Sequence, residues 1–333
     1  MNLSEKDKIF VAGSNGMVGS AICRLLNKKG YKNEKNNLLT PSRHDLDLTN
    51  FNDVEKWFNI QNPQIVIIAA AKVGGIVANL SNPVDFLLEN LKIQNNLIET
   101  SWKFGVKRLV FLGSSCIYPK FSNQPIKENY LLTNNLEETN QWYAIAKIAG
   151  LKLCQAFKKQ YGFDSISLMP SNLYGPKDNY DLKNSHVMAA LIRKFYEAKI
   201  ENKKQVICWG TGSPLREFLH VDDLAEACVF LLENWDPNIH NSPLDENSSP
   251  LNWINVGSNF EISIKELAKK ISSILNYEGE ILWDNDKPDG TFRKKLDTTC
   301  LQKLGWEAKT DLDHGIRSTI DSYRKELINQ YKT

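Results

Sequence analysis

No stretch of this 333-residue chain is apolar enough to cross a bilayer: its longest uninterrupted run, residues 65–71, falls far short of the roughly 20 residues a spanning helix needs. The first eight residues are polar and lack the hydrophobic centre of a signal peptide, so the expected location is the cytoplasm. Net charge is nearly absent too, with 41 Lys and Arg against 39 Asp and Glu, and a balance of +2 offers no field to guide nucleic acid or a membrane surface to the protein. Cysteine pairs are missing: Cys23, Cys116, Cys154, Cys208, Cys228 and Cys300 contain no CxxC spacing, so neither a metal site nor a disulfide framework is expected. There is no internal repeat and no low-complexity block. Arginine is scarce, eight of the 41 basic residues, and each one is therefore worth locating.

What remains is ordinary globular material, 42% hydrophobic and 24% charged. Short apolar runs at residues 8–12, 38–40, 64–70, 107–112 and 165–169 alternate with helical patterns at 17–29, 84–104 and 144–161. Gly105 and Gly162 follow the two longest helical patterns, where a left-handed residue ends a helix. Runs such as Ile65-Val66-Ile67-Ile68 show no polar alternation, the mark of parallel strands covered on both faces. The expectation is an α/β fold, a doubly wound parallel sheet of Rossmann type, with a smaller C-terminal α/β lobe. Residues 236–249, rich in Pro, Asn and Ser, are predicted to be an exposed loop.

The first strand runs into Gly13-Ser14-Asn15-Gly16-Met17-Val18-Gly19 and then a helix. Glycines let the backbone turn tightly and approach phosphates, while the free N–H groups of the helix start face the negative charge, so this loop suits a dinucleotide pyrophosphate. A carboxylate that would hold the ribose hydroxyls of NAD is absent at the end of the second strand, where Leu38-Leu39-Thr40 leads to Pro41-Ser42-Arg43. Arg43 suits a 2′-phosphate and favours NADP(H); a solvated loop cation is the alternative, with Asp45 or Asp47 contacting ribose or adenine. Further on, Tyr143 and Lys147 stand four apart near the start of a helix, on one face. A nearby ammonium is expected to favour the ionised phenol of Tyr143 and bring it into the range of proton transfer at neutral pH. Leu112-Gly113-Ser114-Ser115-Cys116 lies at the end of a strand, and Ser114 can hydrogen-bond a substrate oxygen that Tyr143 protonates.

These three elements resemble the extended short-chain dehydrogenase/reductase superfamily over nearly the whole chain. Ala69-Ala70-Ala71-Lys72-Val73-Gly74-Gly75-Ile76, the extension Cys116-Ile117-Tyr118-Pro119, Asn172-Leu173-Tyr174-Gly175-Pro176, Asn184-Ser185-His186-Val187, Arg216-Glu217-Phe218-Leu219-His220-Val221-Asp222-Asp223 and Lys287-Pro288-Asp289-Gly290-Thr291 narrow the resemblance to the GDP-L-fucose synthase family. The resemblance implies epimerisation of GDP-4-keto-6-deoxy-D-mannose at C3 and C5 and NADPH reduction of the C4 ketone. It also implies an NADP(H) site lined by Gly13 to Gly19, Arg43, Leu112, Gly113, Ser114, Ser115, Lys147, Pro170, Ser171, Asn172, Leu173 and His186. A 4-keto group acidifies the C3 and C5 protons, and inversion needs one group to take a proton and another to return it from the opposite face. Cys116 and His186 match that pair; Cys116 also sits at the carboxyl end of a parallel strand, where ligands bind in this architecture. Lys194, Trp209, Arg216 and Asp289 match positions that hold the GDP-sugar.

The resemblance further implies an NADP-binding unit of residues 1–173 with about 221–262, a substrate lobe of about 174–220 with 263–333, and a homodimer formed through the two long helices. One departure is Asn15, where many relatives carry a cation in the glycine loop; NADPH preference then leans on Arg43. The competing readings are an NAD-dependent UDP-sugar 4-epimerase, against which Cys116 and Arg43 argue, and a silent NADP-binding sensor, against which Ser114, Tyr143 and Lys147 argue.

Overall fold

Every residue of the first strand, β1 (Ile9–Ala12), is buried, as an uninterrupted apolar run between two layers of helices must be. The computed structural model describes residues 3, 4, 6–182, 184–236, 242–245, 247–287 and 289–330. After β1 come α1 (Met17–Lys28), β2 (Leu38–Leu39), α2 (Phe51–Gln61), β3 (Ile65–Ile68), α3 (Ile76–Ser81), α4 (Pro83–Lys103), β4 (Arg108–Leu112), α5 (Gln141–Tyr161) and β5 (Ser165–Pro170). Strand and helix ends depart from the sequence expectations by a few residues at most. Helix α5 begins three residues earlier than its apolar pattern suggests, because Gln141 and Trp142 complete a first turn whose outer face is open to solvent. Of the loop expected at 236–249, residues 237–241 and 246 lie outside the described residues, as does Pro288.

From β5 the chain enters β6 (Asn172–Tyr174), α6 (Val187–Ile200), β7 (Gln205–Trp209) and β8 (Leu215–His220), then returns through α7 (Val221–Asn234) to β9 (Trp253–Val256). It ends with β10 (Glu261–Ser263), α8 (Ile264–Ile274), β11 (Glu280–Asp284), β12 (Arg293–Lys294), α9 (Thr299–Lys303) and α10 (Leu312–Gln330).

The large sheet runs β2-β1-β3-β4-β5-β9, with every pair parallel. Strand order reverses between β1 and β3, which opens a crevice over their carboxyl ends, the place where a doubly wound sheet takes its ligand. Two apolar cores sandwich this sheet, one with α1 and α7, the other with α2, α4 and α5. A third core, built from residues between Tyr174 and Phe218 and between Ile262 and Tyr323, belongs to a lobe in which β8 pairs with β6, β10 and β12 while β7 pairs with β11. Leu301 and Trp306, around α9, pack with the first core rather than the third. Among the described residues no helix is long and apolar enough to cross a membrane.

Candidate functional site

The loop between β1 and α1 is shaped by its glycines in two different ways. Gly13 has φ +81°, and a Cβ there would lie 2.7 Å from the Ala70 backbone; one on Gly19 would lie 2.1 Å from the Gly13 carbonyl oxygen. Those two let the loop, β3 and α1 pack closely. Gly16 has ordinary φ and nothing within 3.5 Å of a hypothetical Cβ, so its open face is free for a ligand to approach. No side chain caps α1 at Gly16, and its first N–H groups stay available to an anion. A groove of about 590 Å³ runs beside this loop past Ser14, Asn15, Thr40 and Lys177. The Ser171 hydroxyl, in the stretch after β5, is buried with no hydrogen-bond partner among the described residues. A glycine cradle, an uncapped helix start and an orphaned hydroxyl fit a dinucleotide.

Beyond β2, Arg43 is exposed and makes no hydrogen bond or ion pair among the described residues. Asp45 and Asp47, the alternatives for ribose contact, are committed to their own turns: Asp45 accepts the Ser42 hydroxyl at 2.7 Å and Asp47 the Thr49 hydroxyl at 2.7 Å.

At the carboxyl end of β4, the chain turns through Ser115–Ile117, and Ser114 Oγ accepts the Cys116 amide at 3.2 Å, with the Tyr143 phenol close by. Lys147, 3% exposed, donates from Nζ to the Leu112 carbonyl at 2.9 Å and lies 5.8 Å from the Tyr143 ring centre. One expectation is corrected here. Burial, and then the neighbouring Cys116, push the Tyr143 phenol well above its ordinary value, and Lys147 does not offset them. Burial lowers Lys147 itself to about 7, which weakens the cation that spacing alone suggested. Tyr143 therefore holds its proton, as a donor must.

Cys116 lies in a small cavity, where its Sγ accepts from Asn140 Nδ2 at 3.3 Å and from Lys294 Nζ at 3.4 Å. Burial alone would raise this thiol. The Lys294 ammonium, the Ser114 hydroxyl and the Arg216 charge together overcome that and lower it. Burial raises each of the five other cysteines. His186 precedes α6 and makes no side-chain cap to it. The Gly75 amide donates to the Asn184 carbonyl at 2.9 Å, which docks the loop carrying His186 on the segment after β3. His186 is exposed, yet the protein around its ring, and then the charge of Lys294, lower its pKa. His220, by contrast, is structural: Nδ1 accepts the Asp222 amide at 3.3 Å and Nε2 meets Ser318 Oγ at 3.2 Å.

The four residues matched to substrate binding cluster in the second lobe. Trp209 ends β7, 45% exposed, with the ammonium groups of Lys194 and Lys287 at 5.2 and 5.8 Å from its ring. Asp289 accepts the Thr211 amide at 2.8 Å and its hydroxyl at 2.7 Å, so its carboxylate braces the turn after Trp209. Arg216 donates from one guanidinium nitrogen to the Asp289 carbonyl at 3.2 Å.

Sequence reasoning missed Asn140, Lys294, Lys287 and Glu137. Asn140 stands one residue before α5 and could have been suspected from the Tyr143 motif. Lys294 carries no signal in its basic Arg293-Lys294-Lys295 run.

The family model for the NAD dependent epimerase/dehydratase family matches residues 9–243. GDP-L-fucose synthase 1 of Arabidopsis thaliana is 52% identical over 330 residues, 99% of this chain and 97% of the relative. GDP-L-fucose synthase of Escherichia coli (strain K12) is 46% identical over 98% of each. Among solved structures, a GDP-mannoheptose C4 reductase from Campylobacter jejuni with NADP bound superposes with a TM-score of 0.85 at 35% identity, covering 97% of this chain and 100% of that one. With the glycine loop, the Ser114, Tyr143 and Lys147 group and these relatives in agreement over the full length, the chain belongs to the NAD dependent epimerase/dehydratase family and, within it, to the GDP-L-fucose synthases.

Proposed function

We propose that this protein is an NADPH-dependent GDP-L-fucose synthase, converting GDP-4-keto-6-deoxy-D-mannose to GDP-L-fucose by inversion at C3 and C5 and reduction at C4. The observation that carries the reading is the placement of Cys116 between Asn140 and Lys294, beside the Ser114 and Tyr143 hydroxyls. A reductase that performed no epimerisation would have no use for a thiol whose acidity its neighbours raise.

Residues Gly13 to Gly19, Arg43, Leu112 to Ser115, Lys147 and Pro170 to Leu173 would hold NADPH, which supplies a hydride to C4 when bound. Ser114 and Tyr143 donate hydrogen bonds to the C4 oxygen, and so stabilise the negative charge that develops there whenever a neighbouring carbon loses its proton. Cys116 and His186 form the acid–base pair: in each inversion one takes the proton from the carbon and the other returns one to the opposite face, and exchange with solvent resets both before the second inversion. Tyr143 gives its proton to the C4 oxygen during reduction. Lys194, Arg216 and Trp209 would receive the pyrophosphate and the nucleotide.

The same reading includes a homodimer. Leu80, Val84 and Leu88 are between 46% and 66% exposed along α3 and α4, and Ile145 of α5 is 40% exposed, which supports a shared helical face. It also includes a cytoplasmic location, which six free cysteines support.

The test supplies the keto-sugar and NADPH in deuterated water. GDP-L-fucose labelled at both C3 and C5 is the expected product. Reduction without label would remove the epimerase half, and no oxidation of NADPH would remove the whole assignment.

A further inference from the structure

Glu137 is buried in the wall of the cavity that holds Cys116, and the reaction above gives it no task. Its Oε1 accepts the Thr139 hydroxyl at 3.3 Å and the Thr139 amide at 3.4 Å, while its carbonyl accepts the Asn140 amide at 3.2 Å. These bonds fix the short turn Glu138–Asn140, whose last residue reaches Cys116. Its Oε2 accepts the Thr291 hydroxyl at 3.3 Å and pairs with Lys120 Nζ at 3.2 Å. Thr291 precedes β12, the two-residue strand that carries Lys294. On the far side of that strand, Gln124 holds the Arg293 carbonyl at 3.2 Å and the Lys295 amide at 2.9 Å. Glu137, through Thr291, holds the start of the same segment. Burial alone would raise its carboxyl, but the hydrogen bond from Lys120 and then that from Thr139 hold it below the usual range, so at neutral pH it accepts all of these contacts as an anion.

We infer that Glu137 is a positioning residue that ties together the two arms gripping Cys116, the turn bearing Asn140 and the segment bearing Lys294. The inference rests on the reading of Cys116 as the reacting thiol, yet it concerns only the geometry around that thiol. Lysine has a long flexible stem, so where its ammonium lies depends on how the segment that carries it is held; a carboxylate bonded to both arms sets their separation. Two roles for Glu137 predict opposite signs. A carboxylate acting through its charge disfavours the thiolate, so its removal would make Cys116 more acidic. A carboxylate acting as a tie keeps Lys294 and Asn140 in place, so its removal makes Cys116 less acidic.

The experiment follows iodoacetamide alkylation of the Cys116 peptide by mass spectrometry against pH, in the full chain without added sugar. Glu137→Gln is expected to move the midpoint upward by about one pH unit, and Thr291→Val to move it the same way, while Thr291→Ser, which keeps the hydroxyl, leaves it in place. NADPH binding should be unchanged in all three. A midpoint that is unchanged or lowered in Glu137→Gln overturns the inference; should that variant fail to fold, Thr291→Val decides by the same criterion. Because no sugar is involved, failure here leaves the GDP-sugar assignment standing, and failure of that assignment leaves this result readable.

Discussion

Lys294 Nζ lies 3.4 Å from Cys116 Sγ, although 178 residues separate them in the chain. A thiol among apolar side chains resists ionisation, and an ammonium within hydrogen-bonding distance reverses that preference. Lys294→Met keeps the apolar stem and removes the charge. The alkylation midpoint of Cys116 should rise by about 1–2 pH units, and solvent deuterium incorporation into the sugar at pH 7 should fall roughly ten- to hundredfold. Cofactor binding is the control and should not change. An unshifted midpoint would show that Ser114 and Arg216 suffice to keep the thiol's pKa lowered.

Lys147 gives a prediction about stability, not rate. Its pKa is about 7 in the folded apoprotein against an ordinary value of 10.5, so between those two pH values the unfolded chain binds the extra proton. Stability must then rise with pH across that window through this group, and below about 7 the cost of enclosing the charge is paid in full. Lys147→Met removes the group. At pH 7 the variant apoprotein should be more stable than the parent by on the order of a few kcal/mol, and the difference should shrink as pH approaches 10.5. Denaturant titrations of both proteins at several pH values measure it. A difference that does not vary with pH would mean that the ammonium stays charged at its Leu112 carbonyl.

Gly16 and Gly19 separate folding from cofactor binding within one loop. A Cβ at Gly19 would sit 2.1 Å from the Gly13 carbonyl oxygen, a clash that only movement of α1 relieves, whereas at Gly16 nothing lies closer than 3.5 Å. Gly19→Ala should lower stability by about 1–3 kcal/mol. Gly16→Ala should melt within about 2 °C of the parent, since a surface substitution with allowed φ costs little, yet bind NADPH at least about tenfold more weakly because the new methyl occupies the approach to the helix N-terminus. Thermal melts alongside cofactor titration separate the two.

The contrast between these sites explains what could be read from the chain. The glycine loop and the strand Ile65–Ile68 are local: sterics and the absence of polar alternation announce them before any fold is known. Tyr143 and Lys147 are legible because a helix repeats every 3.6 residues. Their electrostatics were not, since spacing reports adjacency while burial decides the protonation state; the phenol goes up and the lysine comes down for the same reason. The grip on Cys116 was least legible of all. Lys294 arrives by parallel pairing of β12 with β8, Lys294 opposite Arg216, and Glu137 acts through Thr139 and Thr291, contacts that no periodicity encodes.

Arg43 is the residue on which the proposed preference for NADPH over NADH is tested. Asp45 and Asp47 spend their oxygens on Ser42 and Thr49, so neither is poised to take a ribose hydroxyl, and the guanidinium makes no hydrogen bond or ion pair among the described residues. Asn15, in the loop opposite, supplies no charge. A charge-assisted hydrogen bond is worth about 1.5–3 kcal/mol, so removing the one that Arg43 would make to a 2′-phosphate should weaken NADPH binding roughly 10- to 150-fold. NADH lacks that phosphate and should bind Arg43→Ala nearly as well as it binds the parent. Fluorescence titrations with both cofactors, and competition by 2′,5′-ADP against 5′-AMP, resolve the phosphate from the rest of the molecule. Equal losses for NADPH and NADH would place Arg43 outside the phosphate site and shift the search to the cations of the neighbouring groove, Lys177, Lys32 and Arg24.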